Sequence, residues 1–390
     1  MSSFVSIPAV CDDPNSDLVG QPLGSNTRSL SDVRLSRRTD LSPSESFRLE
    51  QHAFDFACVP ESYDIAVSDG HFLVTDCGRG IASVMPNGRF WHIAGGLLAA
   101  ESLKPQMIQW LADVSNSQKK TLAVYNVSET DAACFQAAGF VVNKFGEEPI
   151  LNPQGLTWSG KQFEWVRRQT NYCRRAGLVV EEVCDAKCQR RLANELQEIM
   201  VDDLSGRTFD QPLKLLEGQL NPQNLNRRRL FVAKNADRIE GFLACSPIDS
   251  GRSWAFETYR KRKDAVRGAT AFLFRSAIDQ LGQEGCQQIS LCLVPGRNVR
   301  DAAIEPGDRR VQWLMSKWFG RLDFMFNVQG QDHFKSRFRP QYVDRYLCVA
   351  PENSIGSLLS FLKTTGATNA SWKNMGKELW KTIRRKPAKK

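Results

Sequence analysis

The sequence predicts a mixed α/β protein of two lobes that share one order of elements. Three observations predict it. The chain has 390 residues, more than one ordinary core accommodates. Each half carries hairpin-like apolar runs and then helix, strand, helix and strand. Antiparallel strands that lead into a β-α-β unit give a mixed sheet with helices on both faces.

Residues 1–44 are rich in Ser, Asp, Arg and Pro, and read as a disordered leader. The first lobe spans 45–155. It opens with a short helix over 47–56. Strand-like runs follow at YDIAV (63–67), HFLVT (71–75), RGIASVM (79–85) and RFWHIAG (89–95). Pro86-Asn87-Gly88 supplies hairpin-turn chemistry between the last two. A helix over 102–114, a strand over 121–127, a helix over 129–138 and the strand FVVNKF complete this lobe.

The second lobe spans 156–365. Helices are expected over 161–176 and 187–204. LFVAKN (230–235) and RIEGFLACSPI (238–248) form a hairpin around Ala236-Asp237. SWAFETYR (253–260) is a strand, 268–281 a helix, QISLCLV (288–294) a strand and 309–319 a helix. FMFN and VDRYLCVAP close the sheet.

Residues 366–390 form a basic tail. Trp372, Met375, Leu379, Trp380 and Ile383 fall on one helical stripe among lysines and arginines. A cationic helix with Trp on its apolar edge suits a membrane interface. Most of the formal net charge of +9 sits here, which points to nucleic acid or anionic membrane as partner.

The 11 cysteines include no CxxC pair, and Cys184 with Cys188 is a lone Cx3C, so no metal site is expected. They read as reduced, intracellular residues packed as small apolar groups. The N-terminus lacks the basic and apolar regions of a signal peptide. No apolar run approaches the roughly 20 residues that span a bilayer. A soluble or peripheral protein is expected.

The element order resembles the acetyltransferase-like (GNAT) fold, present in tandem. Four segments of the second half resemble the catalytic domain of the phosphatidylglycerol lysyltransferase family (DUF2156). The first is Trp158 to Phe163, continued by Arg167, Asn171, Arg174 and Gly177. The second is the 230–248 hairpin with the following strand, whose Glu257-Thr258-Tyr259-Arg260 is similar to the family's acidic-x-x-Arg element, and Gly268. The third is Ile289 to Pro295. The fourth is Phe326-Asn327-Val328-Gln329-Gly330, then Phe334 to Pro340, then Arg345-Tyr346-Leu347. Phe145 to Ile150 is similar, more loosely, to a family strand of the first half. The family's Trp-Glu-Pro before Arg-Tyr is here Tyr342-Val343-Asp344.

The resemblance implies transfer of an aminoacyl group from charged tRNA to a lipid hydroxyl, phosphatidylglycerol or similar. It implies aminoacyl-tRNA as co-substrate with no further cofactor, and a place on the inner face of the cell membrane. It implies catalytic roles for Glu257, Arg260, Lys335 and Arg337. It implies substrate-binding roles for Lys161, Arg167, Arg174, Arg262, Arg267, Gln329 and Arg345.

The residues themselves are consistent with that chemistry. The donor ester is already activated, so the protein needs chiefly to position substrates and manage charge. Glu257 could take the acceptor's proton or hold the aminoacyl amine. In a regular strand Glu257 and Arg260 face opposite sides, so a shared site requires a bulge. Arg260, Arg262 and Arg267 precede a helix opened by Gly268, a phosphate-binding arrangement. If HFKSRFRP is extended, Lys335 and Arg337 share a face, with His333 nearby as a possible base. Arg167, Arg168, Arg174 and Arg175 form a helical stripe suited to an RNA backbone, and Arg227-Arg228-Arg229 add to it. Two other readings use the same letters: a CoA-dependent N-acyltransferase of the same fold, and a non-catalytic module binding RNA or anionic membrane.

Overall fold

The computed structural model describes residues 30, 33–205, 207–209, 211–215, 217–218, 220–321, 327–352 and 354–369. The tail stripe from Trp372 to Ile383 lies outside the described residues, as does most of the expected leader.

In chain order the strands are β1 (Ser36–Arg37), β2 (His71–Val74), β3 (Ile81–Asn87), β4 (Phe90–Leu98), β5 (Thr121–Val127), β6 (Val141–Leu151), β7 (Leu178–Glu182), β8 (Arg229–Asn235), β9 (Arg238–Ile248), β10 (Ser253–Lys261), β11 (Ile289–Ser290), β12 (Val294–Pro295) and β13 (Gln341–Ala350). The helices are α1 (Pro43–Phe56), α2 (Lys104–Ser117), α3 (Glu129–Ala137), α4 (Glu164–Arg175), α5 (Ala186–Leu204), α6 (Ala269–Gln283), α7 (Arg309–Arg321), α8 (Val328–Ser336) and α9 (Ile355–Thr365).

All the strands join one mixed sheet, in the order β1-β2-β3-β4-β5-β13-β6-β11-β10-β9-β8-β7, with β12 also on β6. The run β2-β3-β4-α2-β5 in the first half matches β8-β9-β10-α6-β11 in the second. In each, an antiparallel meander ends in a parallel pair, β4 with β5 and β10 with β11. This is the mixed α/β class expected of tandem GNAT-like lobes. The lobes share more than a linker: β13, from the end of the chain, sits between β5 and β6 of the first half.

Strand alternation decides which helix covers which face. Leu122 and Val124 of β5, with Tyr346 and Cys348 of β13, face α2 and α3. Their neighbours Ala123, Tyr125, Leu347 and Val349 face α7 and α9, against Val311, Met315 and Phe361. In the second half Phe231, Ala233, Leu243 and Phe256 face α4 and α6, while Leu230, Val232 and Phe242 face α5. Burying each such large side chain contributes about 1.5–3 kcal/mol. No described helix is long and apolar enough to cross a membrane.

Several elements depart from expectation. Residues 33–44 carry structure ahead of the first lobe: β1 pairs with β2, and Ser42 and Glu45 form a capping box with Pro43 inside the start of α1. YDIAV is not a strand but part of a 3-10 helix over Pro60–Ala66. Pro60 starts it, and the Ser62 hydroxyl accepts from the Cys58 and Val59 amides and donates to the Gly95 carbonyl. The alternation of Tyr63, Ile65 and Val67 imitates a strand, an ambiguity inherent to short apolar runs. QISLCLV is two short strands, interrupted at Cys292, whose φ is +65°. HFKSRFRP is not extended: α8 runs through Ser336. Of FMFN, only Asn327 is described, and it caps α8 in a left-handed conformation with φ +49°.

Candidate active site

The site lies where β10 and β11 part. They pair in parallel only at Trp254–Ile289 and Ala255–Ser290. β10 then shifts register between Phe256 and Thr258, which places a bulge at Glu257. The segment after β11 turns at Cys292 and rejoins the sheet as β12 on β6. The bulge is the device that Glu257 and Arg260 need to escape strict alternation.

Glu257 is buried, with its side chain 3% exposed. Its Oε2 accepts from Arg228, at 3.1 Å, and from the Ser246 hydroxyl. Its Oε1 has no hydrogen-bond partner among the described residues. Arg228 also pairs with Asp64 at 2.6 Å, and its Nη1 likewise has no partner. Buried polar atoms without partners are rare enough to require a reason.

Across the parting, Glu148 of β6 accepts from the Ser290 hydroxyl and from Arg345 Nε. Arg345 stands at a second register shift, between Arg345 and Tyr346 of β13. Lys335 of α8 is 3% exposed. Its ammonium donates to the carbonyls of Cys292 and Leu293, at 2.9 and 3.4 Å, which the left-handed turn at Cys292 presents. Burial lowers the Lys335 pKa, against the opposing pull of Cys292, Glu148, Asp332 and Glu61.

A fourth segment, the 3-10 helix over Pro60–Ala66, brings Glu61 and Asp64. Burial pushes Glu61 up to about 7, against its hydrogen bond from Asn126, with Glu148 and Glu257 adding repulsion. Asp64 is raised well above its ordinary value, by burial first and then by Glu257, despite Arg228. Four carboxylates and the cations Arg228, Lys335 and Arg345 therefore share one interior drawn from both halves. Such an interior can accept a proton and stabilise a developing oxyanion. Among the described residues, no group of His, Cys, Asp and Glu is placed to hold a metal ion.

Glu257, Lys335 and Arg345 come together as the sequence suggests. Arg260 is buried too, but it pairs with Glu217 at 2.8 Å and faces Asp203 at 3.6 Å rather than joining these carboxylates. Arg337 does not join Lys335: in a helix, two positions rotate a side chain by about 200°. It packs instead against His333, at 2.8 Å, and stands over the Trp165 ring. There it lines an exposed groove of about 540 Å³ with Lys161, Trp165, Arg168 and Arg339.

The remaining expected contacts have local duties. Arg167 donates to the carbonyls of Trp158 and Gly160, Arg174 lies over the Phe272 ring, and Arg262 ties Ile239 to Glu195. Arg167 and Arg174 therefore do not form one free stripe with Arg168 and Arg175. Arg267 and Gln329 are exposed, away from the interior cluster. Above Gly268, a Cβ would meet Gln169 and Cys173 of α4, so the expected phosphate approach at this helix start is filled. Arg227, Arg228 and Arg229 are not a surface patch either. Arg227 pairs with Glu50, Arg228 with Asp64 and Glu257, and Arg229 with Glu182 and Glu284.

Sequence reasoning did not place Glu61, Asp64, Asn126 or Glu148 at the site, and it assigned Arg228 to an RNA-binding stripe. Only Glu148 left a signal. Two adjacent acids, Glu147 and Glu148, stand in one largely buried strand, and alternation must turn one to each face. Glu147 turns to Lys144, at 3.0 Å, and to Arg297.

Comparison with known proteins agrees with this picture. The profile of the family described as "Phosphatidylglycerol lysyltransferase, C-terminal" matches residues 57–349. The phosphatidylglycerol lysyltransferase of Bacillus subtilis (strain 168) is 23% identical over 261 residues. That match takes in 67% of this chain and 30% of the relative, so the chain spans about a third of that protein's length. The C-terminal domain (DUF2156) of a putative lysylphosphatidylglycerol synthetase from Agrobacterium fabrum superposes with a TM-score of 0.69 at 19% identity, covering 85% of this chain and 98% of that one. L-PGS from Bacillus licheniformis superposes at 0.68 with 20% identity, covering 83% and 95%.

Proposed function

Because this chain belongs to the phosphatidylglycerol lysyltransferase C-terminal family, we propose that it transfers an aminoacyl group from aminoacyl-tRNA to the hydroxyl of phosphatidylglycerol or a similar lipid. One observation carries the reading. Glu257, Glu148, Lys335 and Arg345 converge from both halves, and Glu257 Oε1 is left without a partner where β10 and β11 part.

In this reading Glu257 Oε1 takes the proton of the lipid hydroxyl as its oxygen attacks the ester carbonyl. Lys335 spends two of its three N–H groups on backbone carbonyls, and the third is available to the oxyanion. The bond to the tRNA ribose oxygen then breaks, and that oxygen takes the proton back from Glu257. Arg228 and Arg345 pair with Glu257 and Glu148 and offset the cost of burying them. The groove of Lys161, Arg168, Arg337 and Arg339 around Trp165 suits the phosphates and a stacked base of the tRNA end. The amino acid is set by whichever charged tRNA is accepted.

The test is purified protein with charged tRNA and lipid vesicles. Aminoacylated phosphatidylglycerol that disappears on RNase treatment is the expected product. Absence of any labelled lipid across the charged tRNAs overturns the reading. Labelling from an acyl-CoA without tRNA would favour the N-acyltransferase instead.

A further inference from the structure

We infer that the outer faces of α7 and α9 form a docking surface for an anionic lipid bilayer. The choice of lipid surface rests on the transferase reading; the shape and charge of the surface do not.

The inner faces of both helices are spent on the core, through Val311, Met315 and Phe361. Their outer faces carry large apolar side chains in water. Trp313 is 55% exposed, Leu314 37%, Ile355 68% and Leu359 60%. Apolar groups this exposed on two adjoining helices make a patch rather than scattered singles. A groove of about 530 Å³ runs between the helices, bordered by Trp313, Leu314 and Ile355.

Cations follow the apolar residues at helical spacing. Arg309, Trp313 and Lys317 stand at i, i+4 and i+8, as do Ile355, Leu359 and Lys363. Residues so spaced share a helix face. Lys317 Nζ lies 5.2 Å from the centre of the Trp313 ring. None of Arg309, Arg310, Lys317 and Lys363 forms an ion pair among the described residues.

That combination selects the partner. A second copy of the chain would set these unneutralised cations against their own kind. RNA would neutralise them but gains little from Ile355 and Leu359. A bilayer interface takes both: Trp and aliphatic side chains enter the acyl boundary, and Lys and Arg reach anionic head groups. In the sequence, α9 is followed within a few residues by the segment that holds Trp372 and Trp380 among lysines. Beneath the two helices lie β5, β13 and β6, and the latter two carry Arg345 and Glu148. Docking here brings lipid hydroxyls alongside the active-site strands.

The experiment is co-sedimentation of the full chain with vesicles of phosphatidylcholine, with and without phosphatidylglycerol, and no tRNA. The parent should bind the phosphatidylglycerol vesicles, less so at high salt. The triple variant W313S/I355S/L359S should partition roughly tenfold more weakly, as should R309E/R310E/K317E, while thermal melting and circular dichroism stay as in the parent. Parental binding by both variants overturns the inference, since the tail or another face must then hold the membrane. A variant that changes oligomeric state but not vesicle binding overturns it in favour of a contact between copies. Turnover does not enter this readout, so its failure is separable from failure of the transferase reading.

Discussion

Arg228 reaches two acids at once, standing 2.6 Å from Asp64 and 3.1 Å from Glu257, and so joins the 3-10 helix of the first half to the bulge of the second. With its side chain 1% exposed, it offsets two buried carboxylates. Removing it leaves both uncompensated. Arg228→Met should cost about 3–5 kcal/mol in chemical denaturation. Glu257→Gln keeps the hydrogen-bonding shape but not the base. It should fold normally and lose at least about a hundredfold in lipid aminoacylation. A Glu257→Gln protein of full activity would remove the general-base assignment.

Lys335 and Arg337 are two residues apart and should fail in different ways. Lys335→Ala removes an interior donor and should reduce the rate at saturating substrate by about a hundredfold or more. Arg337→Ala alters only the outer groove. It should raise KM for charged tRNA several-fold, leave kcat near parental, and weaken the salt dependence of binding. Equal losses in kcat for both would contradict the division between interior and groove.

Stability should report on Glu61. Its pKa is raised from the ordinary 4.5 to about 7. The folded protein therefore holds this proton more tightly than the unfolded chain does. The resulting stability is present below pH 4.5 and lost as pH climbs through about 7. Denaturant titrations across that window should slope downward for the parent and flatten for Glu61→Gln.

His92 gives the opposite slope. Fully buried, it meets the Tyr125 hydroxyl at 2.9 Å and the Ser360 hydroxyl at 2.8 Å, pinning α9 to the sheet. Burial lowers its pKa from 6.5 to about 4. Its contribution is present above pH 6.5 and lost as pH falls through about 4, on the order of 3 kcal/mol in all. His92→Asn should remove the acid-side loss that melting curves show for the parent.

Gly146 tests the parting of the strands. A Cβ there would run into the backbone of Val294 and Pro295, where β12 crosses β6. Gly146→Ala should destabilise by about 2 kcal/mol or more, because backbone cannot move aside as a side chain can. It should also depress transfer activity, since the turn that presents the carbonyls to Lys335 hangs from this contact.

The sequence by itself determined the class of fold. Alternation in TLAVYNV and VDRYLCVAP and the caps and turns between elements are local properties, and local physics set them. It also marked Glu257, Lys335 and Arg345, whose spacing within motifs survives in one dimension. Only the tertiary structure decided the rest. That β13 slots between β5 and β6, that Glu61, Asp64 and Arg228 close on Glu257, and that Arg337 turns away from Lys335 depend on contacts between segments far apart in the chain. A charged letter reads the same whether it ends in water or in a buried pair, because its partner is chosen by packing and not by its neighbours in sequence.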